Sequence, residues 1–335
     1  MKRVLIVEDS PTARRHLAQV LSECEDFELA GQARDGEEAV RAAEALQPDL
    51  VTLDVFLPDL TAAEVVRRLQ ARRPVAVLLL SDAPRDADDV FRALEAGAVD
   101  FLPKPRPGDA AGLAAVLAAM REVAAREPPP RPEPSPRAPA EPKVSSLPAV
   151  VAVASSTGGP PALRALLAGL GKGFPLPVLV AQHLTPGFED GLARWLTQTC
   201  ALPVKVVTGP TKLTPGTVYL GQPGCDLAVR SRTEVTMLPA PARGYHPSAD
   251  LLFESAAAVF GPAVAVVVLS GIGADGLAGA TKVQQAGGVV FAQSLSSALV
   301  KGMPQAVIKA AVSSFDATPE LLAQRLTFIA AARRP

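Results

Sequence analysis

The sequence predicts two α/β domains, each built on a doubly wound parallel sheet and joined by a proline-rich linker. Three observations predict it. Short apolar runs alternate with helix-patterned segments over residues 1–122, and the alternation resumes from residue 149. Between them lies EPPPRPEPSPRAPAEPKVSSLP, with proline at every second or third position over most of its length. Polar residues able to do chemistry stand just past the apolar runs, where an open parallel sheet forms its sites. The length of 335 residues allows two cores, and 48% apolar with 20% charged residues is ordinary for globular protein. A net charge of −1 gives no electrostatic footprint for nucleic acid or a membrane surface.

In the first domain the strand candidates are Val4–Val7, Glu28–Gly31, Leu50–Leu53, Val75–Leu80 and Asp100–Leu102. Helical patterns lie between and after them, at Ala13–Ser22, Gly36–Leu46, Thr61–Gln70, Asp86–Ala96 and Gly108–Glu122. Residues 123–148 are assigned to the linker, because proline at this density blocks helix and sheet hydrogen bonding and favours extended chain. After it, strands are expected near 149–154, 177–182, 204–207, 217–220, 264–269 and 288–292, with a hairpin over 226–238. Cys24, Cys200 and Cys225 are odd in number, far apart and without a CxxC pair, so neither a disulfide framework nor a zinc site is indicated. The first apolar run meets Glu8-Asp9 after four residues, too short for a signal peptide, and no stretch approaches membrane-spanning length. A soluble, cytoplasmic protein is expected.

The strand ends of the first domain carry Glu8 and Asp9, Asp54, Ser81 and Lys104. Three carboxylates, a hydroxyl and a lysine suit a hard divalent cation with positions left for phosphate oxygens, and Asp54 is the central candidate to accept a phosphoryl group. Any one of these carboxylates alone reads more simply as a turn former. Together with Leu57-Pro58 after Asp54, and with Phe101 three residues before Lys104-Pro105, they make residues 1–122 resemble a response-regulator receiver. That resemblance implies a flavodoxin-like fold and phosphorylation of Asp54 by a histidine kinase. It also implies Mg²⁺ held by Glu8, Asp9 and Asp54, and a switch through Ser81, Phe101 and Lys104. In one departure, Thr61-Ala62-Ala63 stands where the family has glycine.

In the second domain a serine, a histidine and an aspartate follow three apolar runs. Val150–Ala154 leads into Ser155-Ser156-Thr157-Gly158-Gly159-Pro160, Pro177–Gln182 into His183, and Val264–Leu269 into Ser270-Gly271-Ile272-Gly273-Ala274-Asp275-Gly276. A nucleophile, a base and an orienting carboxylate need that arrangement. Glycines permit a tight strand-to-helix turn, and the free amides of a helix N-terminus can hold an oxyanion. A serine before a helix is more often only an N-cap, and physics alone leaves Ser155 and Ser156 both open. His246, in a Pro/Gly-rich loop, rivals His183 as base but does not follow a strand, while His16 sits in the first helix. GIGADG also spells GxGxxG, yet the next strand runs into Gln293-Ser294 without the carboxylate a dinucleotide site needs.

The chain order Ser, His, Asp and the absence of GxSxG argue against an ordinary α/β-hydrolase. Residues 149–335 instead resemble, in a Rossmann-like fold, the catalytic domain of the chemotaxis protein-glutamate methylesterases (the CheB family). The matching residues are Ser156-Thr157-Gly158-Gly159-Pro160, Gln182-His183, Pro186-Gly187-Phe188, Pro215-Gly216, Pro247-Ser248 with Asp250-Leu251-Leu252-Phe253, Gly271 to Gly276, Ala286-Gly287-Gly288 and Gly302-Met303-Pro304. The resemblance implies Ser156 as nucleophile, His183 as base and Asp275 as orienter, with Thr157 and Ile272 as active-site neighbours. Ile272 stands where the family has methionine, and His246 where it has arginine before Pro-Ser. The implied activity is hydrolysis of γ-methyl glutamyl esters on chemoreceptors, with deamidation of receptor glutamines and no cofactor for the esterase. The receiver would occlude the site until phosphorylated, and a monomer is the default for this architecture. Two rival readings are a non-catalytic, phosphorylation-controlled interaction module and the same esterase in a non-chemotaxis pathway.

Overall fold

In the computed structural model, residues 1–81, 86–106, 108–124, 146–241 and 244–332 are described, and the chain divides into two compact units, Met1–Glu127 and Pro128–Pro335. The first unit holds strands β1 (Lys2–Val7), β2 (Phe27–Ala33), β3 (Leu50–Asp54), β4 (Ala76–Ser81) and β5 (Asp100–Pro103). Helices α1 (Pro11–Ser22), α2 (Gly36–Leu46), α3 (Ala62–Arg72), α4 (Ala87–Glu95) and α5 (Ala110–Ala124) alternate with them. All pairings are parallel, in the order β2-β1-β3-β4-β5. Strands β1, β3 and β4 are the apolar runs, and their side chains are buried on both faces, as helices on each side of a parallel sheet require.

Local caps set the helix starts. The Ser10, Asp35 and Thr61 side chains accept from Ala13 N, Glu38 N and Glu64 N at the starts of α1, α2 and α3. At the Thr61-Ala62-Ala63 departure, Thr61 caps α3 while Ala62 and Ala63 are buried, so small side chains fill this turn without a glycine. Helix α5 runs through Ala124, so the first two residues assigned to the linker are helical; residues 125–145 lie outside the described ones.

The second unit holds strands β6 (Val150–Ser155), β7 (Val178–Gln182), β8 (Val204–Val207), β9 (Thr211–Lys212) and β10 (Val218–Gly221). The antiparallel hairpin β11 (Cys225–Ser231) and β12 (Glu234–Pro239) follows, then β13 (Val264–Val268), β14 (Val289–Gln293) and β15 (Phe315–Ala317). Its helices are α6 (Gly159–Leu170), α7 (Glu189–Thr199), α8 (Ala249–Phe260), α9 (Leu277–Gln285), α10 (Gly302–Lys309) and α11 (Pro319–Ala331). A seven-stranded parallel sheet runs β15-β14-β13-β6-β7-β10-β8, and β11, β12 and β9 form a separate three-stranded sheet. From β6 the chain passes through β7 to the edge strand β8, comes back with β10 between them, then crosses to β6's other side with β13. The strand order therefore reverses between β6 and β13, and the crevice past their carboxyl ends is where such a sheet binds its ligands.

Candidate active site

The carboxyl edge of the first sheet gathers Glu8, Asp9, Asp54, Ser81 and Lys104. Lys104 Nζ lies 2.9 Å from Glu8 Oε2 and 3.0 Å from Asp54 Oδ2. Glu8, Asp9 and Asp54 each bring a carboxylate oxygen to within 4.8 Å of the others, and a set of hard oxygens fits Mg²⁺. Burial, reinforced by the Asp54 charge and opposed by Lys104, pushes the Glu8 carboxyl up to about 7. Burial also raises Asp54, against the pull of Lys104. For Lys104 burial favours the neutral amine, but its hydrogen bond to Glu8 and the Asp54 charge win and hold it above the ordinary lysine value. Excess buried negative charge is what a divalent cation would neutralise. Ser81 Oγ donates to Asp86 Oδ2 at 2.8 Å, and buried Phe101 packs edge-on against Phe91, ring centroids 5.8 Å apart.

In the second sheet, strand register brings the serine and histidine together. Ser155, the last residue of β6, lies opposite Gln182, the last of β7, so Ser156 and His183 each follow the end of one of two adjacent strands. His183 N donates to Ser155 O at 2.9 Å, and Ser156 N donates to Ser270 O at 2.9 Å, tying the serine to the loop after β13. Ser155 Oγ is fully buried and donates to Gln182 Oε1 at 2.5 Å, while Gln182 Nε2 donates to the carbonyls of Ser156 and His183. The N-cap of α6 is Gly158 at φ +70, not Ser156, and Pro160 sits in the first turn. Gly271 is pressed against the serine: a Cβ there would meet Ser156 Cβ at 2.8 Å. Thr157 is buried and its carbonyl accepts from Ser270 Oγ at 2.8 Å; Ile272 is half-buried between Gly271 and Gly273.

Asp275 Oδ2 and His183 Nε2 are 2.8 Å apart, and His183 Nδ1 is buried with no hydrogen-bond partner. The Asp275 carboxylate also accepts from Ala249 N (2.8 Å), Asp250 N (3.0 Å) and Gly276 N (3.0 Å), and from Ser248 Oγ (3.4 Å). Burial would raise its pKa, but the His183 bond and the amides at the start of α8 outweigh it and hold the carboxyl below its usual value. An ionised Asp275 at Nε2 keeps the proton on that nitrogen and leaves Nδ1 as the acceptor.

Three features of the site escape the sequence. The α8 amides that grip Asp275 belong to a helix start that the sequence reading did not place. Tyr245, an exposed side chain, stacks on the His183 ring, with centroids 4.9 Å apart and planes at 14°. His246 turns Nδ1 to Asp226 on β11, at 2.8 Å. Nothing in the local sequence marks either long-range contact.

The family model "CheB methylesterase" matches residues 151–326, and "Response regulator receiver domain" matches residues 4–115. A Myxococcus xanthus protein named protein-glutamate methylesterase/protein-glutamine glutaminase 4 is 42% identical, covering 97% of this chain and 96% of its own length. A protein named protein-glutamate methylesterase/protein-glutamine glutaminase 3, from Anaeromyxobacter dehalogenans, is 40% identical, covering 97% of this chain and 98% of its own length. The crystal structure of the Thermotoga maritima CheB methylesterase catalytic domain superposes with a TM-score of 0.52 at 30% identity, covering 54% of this chain and 98% of that one. The chain belongs to the CheB methylesterase family, with a response regulator receiver domain preceding the esterase domain.

Proposed function

We propose that this chain is a phosphorylation-activated protein-glutamate methylesterase of the cytoplasm. It removes γ-methyl esters from chemoreceptor glutamates and deamidates receptor glutamines. The observation that carries this reading is the His183 imidazole. Asp275 holds its Nε2, and Nδ1 is buried and unpartnered just past the end of β7, the neighbour of the strand that leads into Ser156. The occupation of Ser155 Oγ by Gln182 supports Ser156 over Ser155 as nucleophile. The names of the relatives that match along nearly the whole chain support the substrate class.

In this mechanism Ser156 Oγ attacks the ester carbonyl while His183 Nδ1 takes its proton. Amides at the start of α6 stabilise the oxyanion. The carbon–methoxy bond breaks, the proton passes from His183 to the leaving oxygen, and methanol departs. Water then gives its proton to Nδ1 and attacks the acyl-serine; Ser156 regains a proton as the γ-carboxylate is freed. With a glutamine the same sequence expels ammonia. In the receiver, Asp54 accepts a phosphoryl group from a histidine kinase, and Glu8, Asp9 and Asp54 would hold Mg²⁺. When bound, that ion supplies positive charge to the phosphoryl oxygens. Lys104 lies beside Asp54 to pair with them.

Methanol release from methylated receptor membranes tests the reading. The phosphorylated protein should release methanol and Ser156→Ala should not; no release from the phosphorylated wild type would refute it.

A further inference from the structure

The esterase mechanism leaves a second histidine–aspartate pair unused. Asp226, on β11, is 2% exposed. Its Oδ1 lies 2.8 Å from His246 Nδ1 and accepts from Ser248 N at 2.7 Å. Ser248 is also the N-cap of α8, accepting from Leu251 N, and its hydroxyl donates to Asp275 Oδ1 at 3.4 Å. The next two amides, Ala249 N and Asp250 N, are the ones that grip the Asp275 carboxylate. One residue before His246, Tyr245 lies flat on the His183 ring. The Asp226 carboxylate thus holds the tetrapeptide Tyr245-His246-Pro247-Ser248 at His246 and at Ser248. One end covers the face of the His183 imidazole, and the other begins the turn that orients Asp275.

We propose that Asp226 is a positioning residue for the Ser156–His183–Asp275 site, acting through His246 and Ser248; this rests on the esterase reading for its kinetic consequence but not for its structural one. Without the Asp226 carboxylate His246 loses its Nδ1 bond to β11, the first turn of α8 loses its outer tether, and Tyr245 loses its fixed place. His183 is then held by Asp275 alone. Outer partners that hold an imidazole in one orientation and tautomer matter in this way in other sites: losing one costs about 10- to 100-fold in activity.

Asp226→Asn keeps the side chain's size and removes the charge. Two measurements on the full chain test the proposal. In methanol release, normalised to folded protein, kcat should fall about 10- to 100-fold while KM stays within about twofold, because substrate binding is untouched and proton transfer is not. The second measurement is independent of activity. Three histidines make their imidazole ¹⁵N signals simple to assign. At a pH where imidazoles are neutral, His183 in the wild type should show a single tautomer with the proton on Nε2, and in Asp226→Asn a mixture of tautomers. An unchanged kcat together with an unchanged His183 tautomer in a folded variant would overturn the proposal and leave Asp226 a packing residue. If the wild type releases no methanol yet the tautomer shifts in the variant, the esterase reading fails and the positioning role stands. If the wild type releases no methanol and the tautomer does not shift in the variant, both fall.

Discussion

At the scale of single residues, each hydroxyl and carboxylate in the site has a separate job, so substitutions should have separable effects. Ser155 Oγ is committed to Gln182 in a fully buried setting. Ser155→Ala should cost about 1–3 kcal/mol in stability, because the Gln182 oxygen is left unpaired, and should retain methanol release; urea denaturation and the release assay check the two halves. Asp275→Asn should lower kcat by about 10⁴-fold, since an amide cannot hold the proton on His183 Nε2 and keep Nδ1 as base. The depressed Asp275 pKa also has a pH signature. A carboxyl whose folded pKa lies below its unfolded value adds stability above the unfolded pKa, near 4, and loses it as pH falls through the folded value. The thermal stability advantage of wild type over Asp275→Asn should therefore be steady at neutral pH and shrink on acidification below about pH 4; an advantage that persists to strong acid would mean the carboxylate is not what stabilises the fold. That Ser156 and His183 follow neighbouring strands was foreshadowed by each residue following an apolar run. The choice of ring nitrogen was not, because it depends on where α8 and the loop after β13 deliver Asp275.

At the scale of elements, the strands were legible because both sheets are parallel and buried on two faces, which turns each strand into a compact apolar run. Strands β9 and β15 escaped, at two and three residues, since a run so short has no period to detect. The GxGxxG after β13 illustrates the opposite case, a motif whose context decides its meaning. Here it brings a glycine against Ser156 and turns Asp275 toward the start of α8. Helix caps rest on single side chains. Thr61→Ala should destabilise the receiver by about 1 kcal/mol, read from circular dichroism melts, while phosphoryl uptake at Asp54 persists. The hairpin β11–β12 was expected, but not that Asp226 within it would reach the tetrapeptide beside His183. That contact joins residues 20 apart through a loop with no regular pattern.

At the scale of the whole molecule, the proposed function has the receiver set when the esterase works. Asp54→Asn should abolish the rise in methanol release produced by a small phosphodonor while leaving the unstimulated rate in place. Chelating Mg²⁺ should abolish that rise in the same way, because the crowded carboxylates of Glu8, Asp9 and Asp54 would lose the cation proposed to offset them. The order of a receiver followed by a catalytic domain was legible from two independent sets of strand-end residues. The linker assignment over residues 125–145 rests on composition, through the density of proline.

The most direct test of the central claim is to locate the nucleophile. The full chain would be treated with a serine-directed acylating probe and the adduct mapped by peptide mass spectrometry. The account predicts a single labelled serine, Ser156, with labelling lost in Ser156→Ala and His183→Ala and retained in Ser155→Ala. Labelling that survives Ser156→Ala, or a folded protein that takes up no probe, would contradict it.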